Sequence, residues 1–429
     1  MKSVTSRKVY LYLFWVILFI IQNRLQQWFD PFQYLDEIFA LLIVPGVLFW
    51  IIKKKEKIIW TKEKILFLVL LLVFVLSGWA GYFVYHYQPF ANAVKDDYVN
   101  LKFFMAVGAS FLMFANEKLD FEQLKKKIWP VMNAIVIFLF VLCLVDLCFG
   151  IFSTETRAGM RAVKLFYSAY TFLVGECVFL SAIYLWFFDL KQRKIVPPLV
   201  MLSFVMLSTR RAKAMGAVAC ILLVYLLVFY KRKKLSKKVK AFTGVVLVIA
   251  VLTGLLQLVS YYIMMGVESA RAVLTLGAPF IAKDHFPFGT GWGAYGSAFS
   301  AEPYSPVYTR YGMDKVWGLS PSYHEFVSDT FWPMVLGECG IFGFAAFIGV
   351  LILFVKKVIT LKTNRSAFAS ALIPLLYLLI SSSSESAFAN PIAVPLAFWI
   401  GFLFAEQKVM ESKKGRACCE IEAETKNSI

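Results

Sequence analysis

Ile65-Leu-Phe-Leu-Val-Leu-Leu-Leu-Val-Phe-Val-Leu-Ser-Gly-Trp-Ala-Gly-Tyr-Phe-Val-Tyr85 holds no charged side chain and follows directly on Lys62 and Lys64. Coiled as a helix at about 1.5 Å per residue, such a run matches the roughly 30 Å hydrocarbon core of a bilayer. Comparable apolar runs recur along the whole chain. By run length the spacing predicts about twelve helices, near 9–22, 38–52, 65–85, 101–116, 128–152, 169–190, 195–208, 214–230, 241–264, 331–355, 366–384 and 392–406. The expected fold is therefore an all-α polytopic transmembrane bundle. Its composition agrees, at 60% hydrophobic residues and a mean hydropathy of +0.69. Residues 1–406 read as one helical domain and 407–429 as a cytoplasmic tail. No internal repeat is visible, which weighs against an inverted-repeat transporter.

The formal charge of +18 does not indicate nucleic-acid binding, because most of it sits in short clusters between apolar runs. These are Lys53-Lys-Lys55, Lys125-Lys-Lys127, Lys191-Gln-Arg-Lys194, Lys231-Arg-Lys-Lys234 and Lys356-Lys357. They carry the positive-inside signature of cytoplasmic loops. With both termini cytoplasmic they alternate with the helices without conflict, and the N-terminal segment reads as a retained signal anchor. The outer segments become 23–37, 86–100, 153–168, 209–213, 265–330 and 385–391. Only 265–330 is large, with local amphipathic character around Glu268–Ala282. The cysteines form no metal-ligand spacing or disulfide framework, and no outer acidic cluster calls for a metal or other cofactor.

On this topology lysine predominates inside, whereas arginine is concentrated outside. Arginine presents a planar fork that grips phosphate or carboxylate with paired hydrogen bonds. Arg210 and Arg211 in Leu207-Ser-Thr-Arg-Arg-Ala-Lys-Ala-Met215 lie on the face where positive charge is normally avoided. With Arg157, Arg161, Lys213 and Arg271 they form a candidate anion site at the membrane surface. Single contacts between each arginine and ordinary lipid phosphates are the alternative. Asp329 and Glu338 bracket the entry of the helix near 331–355, and His324 lies just before it. Asp329 is the candidate general base, with His324 as a second, Tyr323 beside it and Glu338 as a substrate contact. Asp329 would otherwise serve as a helix N-cap. In Phe286-Pro-Phe-Gly-Thr-Gly-Trp-Gly-Ala-Tyr-Gly296 the glycines match no nucleotide-binding pattern. Trp292 and Tyr295 there are candidate platforms for sugar rings, and loop packing is the other reading.

Three stretches, in order, resemble the O-antigen ligase and Wzy-type polysaccharide polymerase superfamily, in its capsule or exopolysaccharide branch. They are Ser208-Thr-Arg-Arg-Ala-Lys-Ala-Met-Gly216, Arg271 followed by Asp284–Gly296, and Ser328-Asp-Thr-Phe-Trp-Pro-Met-Val-Leu-Gly-Glu-Cys-Gly-Ile-Phe-Gly343. The resemblance implies a GT-C-type glycosyltransferase, metal-independent, facing outward from the bacterial cytoplasmic membrane. It would join undecaprenyl-pyrophosphate-linked oligosaccharides, alongside a flippase and a chain-length co-polymerase. Ligases of the superfamily carry a histidine where Asp329 stands here, which favours the polymerase branch. A ligase, or a transporter of lipid-linked sugars, remains the alternative.

Overall fold

A computed structural model describes residues 2–53, 61–116, 118–157, 159–229, 241, 244–245, 248–249, 251–252, 254–256 and 259–427. Side-chain surroundings of 2–5, 50–53 and 414–427 are not among those described. The chain is a helical bundle with a single short hairpin, Thr156–Arg157 against Met160–Arg161. The main helices are α1 (Lys2–Gln26), α2 (Leu35–Leu41), α3 (Ile43–Lys53), α4 (Lys62–Tyr85), α5 (Phe90–Phe114), α6 (Phe121–Phe149) and α7 (Tyr170–Trp186). After them come α8 (Val196–Ser208), α9 (Ala212–Phe229), α10 (Ala270–Asp284), α11 (Trp332–Ile359), α12 (Arg365–Ser381) and α13 (Ala393–Asn427). Among the described residues seven helices are long and apolar enough to cross a membrane, or eight if the pair bent by 56° at 187 counts as one span. The chain is thus a multi-pass membrane protein. Of the expected helix 241–264, residues 242–243, 246–247, 250, 253 and 257–258 lie outside the described residues, and its end is a π-helical turn, Val259–Met264. The basic residues 231–234 and two of the Lys53–Lys55 cluster also lie outside them.

Helix ends follow local chemistry. The Asp120 carboxylate accepts from the Gln123 N–H at the start of α6, and Gly150 closes its end in the left-handed region. Thr61 and Asn364 cap α4 and α12 in the same way. Around the bundle, helices such as α4 and α6 expose Leu66, Leu72, Leu76, Ile137, Phe138 and Val141, a face suited to lipid and costly in water.

Two features depart from the expected threading. Helix α5 begins at Phe90 rather than 101, so Asp96 and Asn100 become helix residues, buried as Lys102 is. Apolar run length missed this turn because those side chains are paid for by partners far away in sequence. The Lys102 ammonium lies 2.6 Å from Asp36 and 3.4 Å from Glu37 on α2, and the Gln22 amide donates to Asp36. Helix α13 also continues through Asn427 without a break at 406.

The segment 265–330 folds on a core of its own, in which α10 packs Leu274, Ala278 and Ile281 against Tyr295, Tyr308 and Leu319. From it the glycine-rich loop 286–296 dips between α4 and α11. The Trp292 indole donates to the Val75 carbonyl, ten residues before the end of α4, or about 15 Å along its axis. Helix α11 is kinked at Gly340 (φ 62°, ψ −167°). A Cβ there would lie 2.3 Å from the Pro287 carbonyl oxygen, so only glycine lets the two backbones touch. The kink frees carbonyls that the loop then uses: the Thr290 N–H donates to Gly337 and the Gly291 N–H to Glu338. Irregular backbone within a membrane bundle persists only when its polar groups are met in this way.

Candidate functional site

Four basic side chains from three separate segments converge at the end of the bundle that carries 265–330. Tyr170, at the start of α7, is the hub. The Arg211 guanidinium lies over its ring at 4.6 Å and that of Arg157 at 5.8 Å. Arg271, on α10, covers the neighbouring Tyr261 ring at 4.7 Å. Guanidinium planes stack well on aromatic faces, which fixes their orientation without consuming their N–H donors.

Three of the four cations have a carboxylate partner. Arg157 Nε is 2.6 Å from Glu155, Lys213 Nζ is 2.9 Å from Glu385, and Arg271 is 2.9 Å from Asp329 Oδ2. Arg211 forms no ion pair among the described residues, and its buried Nε–H has no acceptor; the Arg271 Nε–H is likewise unmet. Burial and then the nearby Arg157 push the Arg211 pKa down, opposed by Glu155 and the two tyrosines. A guanidinium keeps its charge regardless, so Arg211 carries a positive charge that is poorly solvated first and crowded by Arg157 second. An incoming anion would relieve it and would use both idle donors. Beside these groups a cavity of about 500 Å³ is lined by Lys213, Tyr261, Tyr262, Arg271, Ser383 and Ser384.

The Asp329 carboxylate is one-third exposed and faces this cluster. It does not cap α11: the N-cap is Phe331, with no side-chain hydrogen bond. An anion that competes for Arg271 would free Asp329 to accept a proton.

Several expected site residues lie elsewhere. Arg161 donates to the Asp146 and Leu147 carbonyls, both at 3.0 Å, and so satisfies the end of α6. Arg210 adopts φ 54° and is exposed, and its guanidinium donates to the Met160 sulfur. His324 contacts the Pro321 carbonyl and lies 3.8 Å from the exposed Glu302, away from Asp329. Tyr323 stacks on Trp317 instead of joining the basic cluster.

The sugar-platform expectation for Trp292 and Tyr295 is overturned. Both are buried, at 1% and 0% exposure, because the glycines around them bring the loop into the bundle. Glu338 is also fully buried and holds the same loop, accepting from the Tyr295 N–H.

No family model matches the chain, and no curated protein sequence matches it. The site therefore rests on its own chemistry. Sequence reading missed Tyr170, Tyr261 and Glu385. Glu385 had a usable signal, as the sole acid in the short polar link between the last two helices. The tyrosines sit in ordinary aromatic-rich helix and gave none.

Proposed function

We propose that this protein is a membrane glycosyltransferase of the polysaccharide-polymerase kind, acting on polyprenyl-pyrophosphate-linked oligosaccharides. The observation that carries the reading is a cluster in which Arg211 has no ion pair among the described residues, Arg211 and Arg271 each keep an idle Nε–H, and Lys213 and Arg271 line a cavity sized for a phosphate-bearing headgroup. An apolar exterior lets the lipid of such a substrate lie in the bilayer while its pyrophosphate reaches the arginines. The proposal places this end outward from a bacterial cytoplasmic membrane, with a flippase supplying repeat units and a co-polymerase setting length.

In this mechanism the acceptor's hydroxyl oxygen attacks the anomeric carbon of the donor. The bond from that carbon to the pyrophosphate oxygen breaks, the hydroxyl proton passes to Asp329, and polyprenyl pyrophosphate departs. Negative charge grows on the leaving group, so Arg211 and Arg271 stabilise the transition state more than the ground state. Arg157 and Lys213 hold the cluster in register through Tyr170 and Glu385.

The test is complementation of a deletion strain, with glycan length read by gel. Arg211→Ala and Arg271→Ala should each cut long polymer by about 100-fold or more, leaving carrier that bears one repeat unit. Normal polymer from both variants refutes the assignment. Long polymer that stays on its carrier in the deletion strain would instead mark a ligase.

A further inference from the structure

The exposed Trp317 and the half-buried Tyr323 belong to the same segment, 265–330, as Arg271 but take no part in the basic cluster. Trp317 is 67% exposed, an unusual position for the largest apolar side chain. Its ring stacks on Tyr323 with centroids 4.9 Å apart and planes 27° from parallel, and Phe326 abuts it edge-on at 5.0 Å.

The turn that presents these rings is tightly built. The Tyr323 N–H donates to the Ser320 carbonyl and the Phe326 N–H to the Gly318 carbonyl, each at 3.0 Å. The Ser320 hydroxyl donates back to the Tyr323 carbonyl. Gly318 has φ 87°, and a Cβ on it would sit 2.1 Å from the Phe326 ring. A side chain at 318 would dismantle the stack, so the backbone is specialised to hold it.

The surroundings choose between two occupants of an exposed aromatic face. Rings that anchor in a bilayer have aliphatic neighbours, as on the outside of α4. Here the flanking residues are Asp314, Lys315, Ser320, Ser322 and Glu325, of which Lys315, Ser322 and Glu325 are exposed. A flat apolar ring bordered by hydroxyls and a carboxylate is complementary to a pyranose, with an apolar C–H face and a rim of hydroxyl groups. The turn also runs directly into the basic cluster. The Asp329 N–H donates to the Phe326 carbonyl, and Asp329 pairs with Arg271. Six residues separate Tyr323 from Asp329, at most about 20 Å of chain.

We propose that Trp317, stacked on Tyr323, is a carbohydrate-binding platform that seats sugar residues of the glycan a few units away from the transfer point. This deepens the glycosyltransferase reading by giving the glycan, as distinct from its lipid pyrophosphate, a site of its own.

The experiment uses full-length protein in nanodiscs and three probes, maltohexaose, cellohexaose and laminarihexaose, with binding followed by saturation-transfer NMR and titration. Binding of at least one hexaose is expected. Trp317→Ala should weaken it by about tenfold, and Trp317→Phe should stay within about threefold of wild type. Arg211→Ala should bind the hexaose as wild type does, since the platform does not use that guanidinium. Unchanged binding by Trp317→Ala overturns the platform. So does the absence of binding to all three hexaoses, and fluorescence quenching at position 317 by brominated lipid would then identify a bilayer anchor. The polymerase reading is decided separately, by polymer length in the Arg211→Ala strain.

Discussion

Replacing Asp96 by alanine should release the glycine-rich loop from the bundle. Asp96 Oδ2 accepts the Gly293 N–H at 2.7 Å and Oδ1 accepts the Ser297 hydroxyl at 2.6 Å. Alanine strands the Gly293 N–H and the Ser297 hydroxyl. At about 1–3 kcal/mol for each buried group left unmet, and with partial relief as water enters, the loss is about 3 kcal/mol. At about 1.4 kcal/mol per tenfold, the locally open fraction rises on the order of 100-fold. Limited proteolysis within 286–330 of the full-length protein reads that fraction directly when opening is fast relative to cleavage. Asp96→Asn should stay within about fivefold of wild type, since the amide oxygen still accepts the Gly293 N–H and the Ser297 hydroxyl can turn to accept from the amide N–H. Cleavage of Asp96→Ala at the wild-type rate would refute the latch.

Arg161→Ala should behave unlike Arg211→Ala. It removes two carbonyl partners at the end of α6 and should cost about 1–2 kcal/mol, seen as a lower melting temperature, while polymer made per folded molecule stays at the wild-type level. Acid should loosen the segment 265–330 through His285, whose Nε2 meets the Tyr87 hydroxyl and whose Nδ1 meets the Ile281 carbonyl. Burial holds its pKa below the ordinary 6.5. The folded state therefore binds fewer protons than the unfolded one, and its stability is present above that value and lost as pH falls through and below it. Proteolysis should quicken between about pH 7.5 and 5.5 in the wild type and change less in His285→Asn.

Much of the architecture was legible because membrane helices are written in one dimension. A run such as 65–85 has no other stable way to bury its backbone polar groups in lipid, and α4, α6, α9 and α11 lie close to where run length placed them. The start of α5 was not legible, since Asp96 looks like a loop residue until the Gly293 N–H and the Ser297 hydroxyl are seen beside it. In the same way, sequence put Arg210 and Arg211 first, with Arg157, Arg161 and Arg271 as further candidates. Composition cannot say which guanidinium finds a carbonyl, which finds water and which is left with a surplus charge.

The sequence by itself determined a multi-pass helical protein with arginine-bearing links and one large aromatic loop, because hydropathy and charge act locally along the chain. Only the tertiary structure decided which residues meet. It turned the glycine-rich loop inward so that Trp292 and Tyr295 became core, left Trp317 outside, capped α6 with Arg161, and brought Arg157, Arg211, Lys213 and Arg271 around two tyrosines. Those outcomes depend on close backbone approach at Gly340 and on hydrogen bonds and ion pairs between residues up to 217 positions apart, and no local pattern encodes them.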